Sequence, residues 1–182
     1  SDARSLARSV MPDFLEYVNV IIGNEEDAAD VLDIHAGDTD VHSGSLEIAH
    51  YPDVARQIAQ RFNNVEQVAI TLRESISATH NNWGAMLFDV SNDTAVFAPM
   101  NGEQYEPFEI RNIVDRVGGG DSFAAGLIYA MTTKDFATAQ AQVDFAVAAS
   151  CLAHSVKGDF NFTSRAEVEA LANGNASGRV QR

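Results

Sequence analysis

An α/β fold with a partly parallel central sheet is what the sequence predicts, on three observations. Two short aliphatic, β-branched runs, VNVII at 18–22 and VAITL at 68–72, have the composition and length of buried strands. Between and before them, apolar residues recur at helical spacing: Leu6, Val10, Phe14 and Tyr17, then Val54, Ile58 and Phe62. Further along, two Ala-rich segments at 122–132 and 136–156 read as helices that follow a run of glycines. Strands alternating with helices give an α/β layer architecture.

The elements follow in order. The first helix covers 6–17 and tolerates Pro12. Gly23 ends the first strand, and Asn24 is placed to cap an acidic helix that continues to Leu32. Gly, Asp, Thr and Ser make 36–45 a loop. A helix covers 51–62. After the second strand come short strand candidates at 75–79, 85–90 and 94–98. The turn signals between them are His80, Asn81 and Asn82, then Ser91, Asn92 and Asp93. Residues 99–107 read as a loop. A last helix covers 164–171, opened by Ser164 and Glu167 in a capping-box pattern, and 173–182 reads as a frayed tail. No internal repeat or dividing linker is visible, so 1–182 is treated as one unit.

Composition narrows the function. Of 182 residues, 46% are hydrophobic and 21% charged, as in ordinary globular proteins. Twelve Lys and Arg against 26 Asp and Glu leave a net charge of −14, a surface that repels nucleic acid and anionic membrane. The opening residues carry no apolar signal-peptide core. The longest low-charge stretch, 143–156, is too short to span a bilayer. The lone Cys151 allows no internal disulfide and points to a reducing, cytoplasmic setting. His35, His42, His50, His80 and His154 show no metal-ligand spacing and are expected in surface or packing roles. Trp83 is expected to pack in a hairpin.

The residues that carry chemistry lie at 115–126, DRVGGGDSFAAG. Gly118, Gly119 and Gly120 stand directly before an apolar helix. Without Cβ atoms, their N–H groups can converge on one point, and at a helix N-terminus they join the positive end of the helix dipole. That makes an anion site suited to a phosphate whose charge grows during transfer. Asp121, at the mouth of the same helix, can accept a proton from an attacking hydroxyl. No Lys-Ser/Thr follows the glycines, so this is not a P-loop, and Phe123 breaks the dinucleotide-binding spacing.

The stretch DRVGGGDSFAAGLIYA resembles the second signature of the PfkB/ribokinase family of carbohydrate kinases, D-T-x-G-A-G-D. It keeps both aspartates, with Arg116 in place of the usual Thr or Ser and Gly119 in place of Ala. Asn24, Glu25, Glu26 and Asp27 resemble the family's N-x-x-E motif, with Asp27 where Glu is usual. Ile70, Thr71, Leu72 and Arg73 resemble its nucleotide-binding T-L-G segment, with Arg73 replacing Gly. Arg73 itself is either a phosphate donor or one half of a surface ion pair. Within the family, TLRES, the signature and HSVKGDFN look most like 2-keto-3-deoxygluconate kinases.

The resemblance implies a ribokinase-like three-layer α/β sandwich and in-line transfer from ATP to the 6-hydroxyl of 2-dehydro-3-deoxy-D-gluconate. It casts Asp121 as base, with the amides of Gly118, Gly119, Gly120 and Asp121 as the anion hole. Asn24, Thr71, Arg73, Val147, Ala148 and Cys151 fall on the nucleotide side, the last three facing adenine; core packing explains those three equally well. Asp27 and Glu26 would act on Mg²⁺ through water, and Asp115 would be structural or serve a monovalent cation. The family's G-G substrate motif and β-lid precede the matching region and are not found here. The chain therefore looks like the C-terminal half of such a kinase, expected to be inactive toward sugar alone and dimeric, if at all, as the full-length protein. The alternatives are another sugar kinase of the family, such as a fructokinase or ribokinase, or a non-catalytic nucleotide- or partner-binding module.

Overall fold

The computed structural model describes residues 2–35 and 48–174. The expected loop at 36–45, with His42, and the tail beyond Gly174 lie outside them. By its internal packing the chain divides into two compact units, Ser1–Leu72 with Met86–Val96, and Arg73–Ala85 with Phe97–Arg182.

In the first unit, helix α1 (Ala3–Leu15) runs through Pro12, and the Asp2 carboxylate caps it by accepting the Arg4 N–H. Its apolar stripe faces outward: Leu6, Val10, Phe14 and the following Tyr17 are exposed, and Leu15 is the one buried residue of the helix. Strand β1 (Val20–Asn24) starts later than expected and contains Gly23 instead of ending there. The strand continues because Gly23 pairs opposite Ile70, and Asn24 then caps the next helix directly. All five of its residues are half-buried, as befits the end of the strand order.

Helix α2 (Glu25–Leu32) opens with the expected cap. The Arg8 guanidinium closes its other end on the carbonyls of Ala29 and Asp30, in the last turn, where helix carbonyls lack a full set of intrahelical donors. A short 3-10 turn (Ile48–His50) leads into α3 (Tyr51–Arg61), which buries Tyr51, Val54, Ala55 and Ile58 on one face. Strand β2 (Gln67–Ser77) pairs in parallel with β1, Val20 opposite Gln67 through Asn24 opposite Thr71.

The two strand candidates at 68–72 and 75–79 are one continuous strand, β2. The hairpin turn that follows lies at 78–79, so β3 (His80–Asp89) includes the expected turn residues His80, Asn81 and Asn82. The turn at 91–93 is where expected. Asp89 accepts from the Ser91 and Asn92 backbone amides and from both of their side chains. Strand order is β1-β2-β3-β4, with β4 at Thr94–Ala98.

In the second unit, the expected loop at 99–107 holds a small antiparallel hairpin, β5 (Met100–Asn101) with β6 (Gln104–Tyr105). Strand β7 (Phe108–Arg111), not expected from the sequence, pairs antiparallel with β3 from His80 opposite Arg111 to Trp83 opposite Phe108. Trp83 is buried at that hydrogen-bonded edge.

Helices α4 (Gly119–Thr132), α5 (Ala139–Ala153) and α6 (Arg165–Ala172) complete the unit. Thr138 caps α5, and Ser164 with Glu167 forms the expected capping box of α6. The three helices share a core of Ala130, Phe145, Ala148, Ala149, Leu152, Val168 and Leu171. No helix among the described residues is long and apolar enough to cross a membrane.

Candidate active site

The second unit presents the glycine run as a tight turn that opens a helix. Helix α4 begins at Gly119, three residues before the expected start, with Gly118 as its N-cap at φ 77°. Two constraints require glycine at 118. Its φ is left-handed, and a Cβ would stand 2.6 Å from the Asp159 carbonyl oxygen. Ser122 N–H closes the first turn on the Gly118 carbonyl at 2.8 Å. The amides of Gly119, Gly120 and Asp121 then have no acceptor within the helix and carry the positive end of its dipole. A Cβ on Gly120 would meet nothing within 4 Å, so the space beside that residue is open. Such a cradle fits a phosphate group.

Asp121 lies in this first turn, exposed and without a hydrogen-bond partner among the described residues. It borders a cleft of about 450 Å³ with Ser122, Ala125, Tyr129, Phe160 and Asn161. A free, solvent-reached carboxylate beside an anion cradle can take a proton from a hydroxyl aimed at the same place.

The strand-side entry to the turn is held by Asp115. Its carboxylate accepts the backbone N–H of Arg116 at 2.8 Å, Val117 at 3.1 Å and Gly158 at 3.0 Å. These bonds, led by those from Val117 and Gly158, hold its pKa below the ordinary carboxylate value. Arg116 is engaged with the β2–β3 hairpin. Its Nη2 donates to the carbonyls of Ser77 and Ala78 and to Asn81 Oδ1, tying the glycine turn to the β2–β3 hairpin.

Beneath the turn lies a pair of residues on α5 to which the sequence assigned no function. Ser150, fully buried, donates its hydroxyl to the Gly119 carbonyl at 2.7 Å. His154, one helical turn on, lies against Gly119 and 4.9 Å, centroid to centroid, from the Trp83 ring. Its Nδ1 is 2.8 Å from the Ser150 carbonyl. Burial, with the charges of Arg116 and Arg73, pushes its pKa below the ordinary histidine value against that hydrogen bond. The i, i+4 spacing of Ser150 and His154 was the available sequence signal.

The remaining expected residues of this unit divide. Arg73 is exposed and has no ion pair or hydrogen bond among the described residues, so the ion-pair alternative finds no partner there. Val147 and Ala148 are fully buried and offer a ligand no surface. Cys151 is half-buried against the helical core, and burial pushes its thiol up to about 12.

In the first unit, Asn24 and Thr71 are register partners across β1 and β2. Asn24 Oδ1 accepts the amides of Glu26 and Asp27, and Asp27 Oδ2 returns a bond to the Asn24 amide at 2.8 Å. Thr71 is buried, with its hydroxyl 3.4 Å from the Gly23 carbonyl. Glu26 is exposed. No group of three His, Cys, Asp or Glu among the described residues could hold a metal ion unaided. A metal at Asp27 and Glu26 would need oxygens from water or a bound phosphate to complete its shell.

A family model for pfkB family carbohydrate kinases matches residues 1–166. Among solved structures, a 2-dehydro-3-deoxygluconokinase from Thermotoga maritima is similar at 42% identity and TM-score 0.76, over 94% of this chain and 47% of that one. A PfkB family carbohydrate kinase from Listeria grayi is similar at 24% identity and TM-score 0.74, over 94% and 46%. The T. maritima ribokinase shares the fold at 18% identity and TM-score 0.57, over 93% and 47%. Comparison with curated proteins gives no match. The chain spans about half the length of the structures it matches. With the fold, the glycine turn and the family match in agreement, the chain belongs to the pfkB family of carbohydrate kinases and has its ribokinase-like α/β fold.

Proposed function

We propose that this chain is the nucleotide-handling part of a kinase that transfers the terminal phosphoryl group of ATP to the 6-hydroxyl of 2-dehydro-3-deoxy-D-gluconate. The observation that carries the reading is the Gly118–Asp121 turn: three donor amides at the mouth of α4, open space at Gly120, and an unpaired carboxylate beside them. The sugar assignment rests on the 42% identity to the T. maritima 2-dehydro-3-deoxygluconokinase.

The chemistry needs little from the protein beyond placement and charge. Asp121 accepts the hydroxyl proton as that oxygen attacks phosphorus, and the bond from phosphorus to the ADP oxygen breaks in line. The amides of Gly119, Gly120 and Asp121 take the charge on the phosphoryl oxygens, and Arg73 offers a free guanidinium to the nucleotide phosphates. Mg²⁺, used with ATP by kinases of this family, would neutralise phosphate charge, with Asn24, Asp27 and Glu26 acting on it through water. Asp115 holds the turn by its three backbone bonds. Val147 and Ala148 would contribute packing behind the site, leaving Cys151 as the expected adenine-side residue with exposed surface.

Because the chain spans about half of its relatives, turnover is proposed to require the remaining half of the fold, which would position the sugar and exclude water. The test is a fusion of this chain to the part of the T. maritima enzyme that it does not match. The fusion should phosphorylate 2-dehydro-3-deoxy-D-gluconate, and Asp121→Asn should abolish turnover while leaving MgATP affinity within about twofold. Strong turnover by the Asn variant would remove Asp121 as the base. A fusion that folds, binds MgATP and phosphorylates fructose or ribose instead would overturn the substrate.

A further inference from the structure

We propose that Ser150 and His154 are positioning residues for the anion cradle: together they fix the peptide plane between Gly119 and Gly120, and with it the direction of the Gly120 N–H. This rests on the kinase reading of the glycine turn and names two residues, one in α5 and one at its C-cap, that serve it.

The constraint lies in the rigidity of the peptide. The Gly119 carbonyl and the Gly120 N–H belong to one planar trans unit and point in opposite directions. Whatever holds the carbonyl aims the N–H. Ser150 Oγ holds it at 2.7 Å from a fully buried position. A buried serine in mid-helix commonly satisfies its hydroxyl on the carbonyl one turn back in its own helix. Ser150 instead reaches a carbonyl 31 residues away in sequence, in the first turn of α4.

Glycine flanks this peptide on both sides, so no side chain of its own restrains it. On the outer side, Gly120 meets nothing. On the inner side, the His154 ring takes the space next to Gly119, with Cε1 3.0 Å from where a Cβ would be. His154 is itself fixed by Nδ1 to the Ser150 carbonyl and by the Trp83 ring. Its own carbonyl accepts the Val114 N–H at 2.9 Å and the Asp115 N–H at 3.4 Å. The C-terminal turns of α5 thus grip the segment both before and after Gly118.

The test compares Ser150→Ala with the wild-type chain, using MgATP and adenosine as probes. Loss of the grip should weaken MgATP by about fivefold, the size of one ordinary hydrogen bond, leave adenosine affinity within about twofold, and shift the Gly120 amide resonance. A variant that lost packing alone would weaken both probes equally, and that result overturns the proposal, as does unchanged MgATP affinity. His154→Gln, which keeps a polar group but removes the ring, should reproduce the selective loss; unchanged MgATP binding would remove His154 from the device. A wild-type chain that binds no MgATP overturns the kinase reading instead. The grip is then read from the Gly120 amide, and an unmoved resonance in Ser150→Ala overturns it.

Discussion

Gly119 lies directly against the imidazole of His154, so closely that a methyl on Gly119 would stand 3.0 Å from Cε1. Alanine is the better helix former by about 1 kcal/mol, yet here it must displace a ring that is fixed on Ser150 and Trp83. Gly119→Ala is expected to destabilise the chain by about 1 kcal/mol through overpacking. In a His154→Val background the same change should become neutral or stabilising. Urea denaturation of the four proteins in this cycle measures the coupling. A coupling near zero would show that the two positions do not share the space.

Gly118 and Gly120 separate folding from binding. Gly118→Ala places a Cβ on a left-handed residue and 2.6 Å from the Asp159 backbone oxygen. It should cost about 2 kcal/mol or more, visible as a lower melting temperature by circular dichroism. Gly120→Ala meets nothing in the fold and should keep or slightly raise stability. Its methyl would narrow the cradle and weaken MgATP binding. Equal melting temperatures for the two variants would contradict the assignment of Gly118 to structure.

Stability should fall as the solution is acidified through the histidine range. The folded pKa of His154 is below its ordinary value of 6.5, burial being the largest cause. The unfolded chain therefore binds the proton first. Stability is complete above about pH 6.5 and is lost as pH falls from there toward the folded pKa. Arg116 and Arg73 supply the charges that add to this depression. His154→Val should flatten the dependence between pH 7.5 and 5.5, and Arg116→Gln should raise the His154 pKa in an NMR titration. A wild-type curve as flat as that of His154→Val would rule out this linkage.

Cys151 should be chemically quiet. With its thiol pushed up to about 12 by burial, almost no thiolate exists at pH 8. A thiol reagent such as DTNB should react far more slowly in native buffer than in denaturant at the same pH. Fast native labelling would place Cys151 in a more open setting than the helical core.

What could be read from the sequence was mostly local. Asn24 followed by Asp27, and Ser164 followed by Glu167, announce their helices because a cap is decided within four residues. The turn at 91–93 is likewise set by the Asp89 side chain two and three residues away.

The misplaced turn at His80–Asn82 shows the limit. Those polar residues look like a turn, but pairing with β7 draws them into β3. Asn81 there is fully buried and accepts from Arg116, 35 residues on. For the candidate site, the glycine run and Asp121 were legible as the mouth of a helix. The start of α4 at Gly119 was not, because Ser150 and His154, which brace that turn, come from another helix. Nor can periodicity say which face of α5 is covered, so the adenine-side and core readings of Val147 and Ala148 stay open in the sequence; both residues are fully buried in the fold. The two compact units also divide the chain where composition shows no linker.

The central claim is that this chain carries a phosphate cradle for a magnesium–nucleotide complex, and thermal denaturation with MgATP tests it most directly. At a concentration about 100-fold above Kd, a ligand bound by the folded state alone adds about 2.7 kcal/mol. For a chain of this size that corresponds to roughly 5–10 °C in melting temperature. A rise of this order is expected with MgATP or MgADP, retained in Asp121→Asn, and no rise with 2-dehydro-3-deoxy-D-gluconate alone. A melting temperature unmoved by saturating MgATP would contradict it.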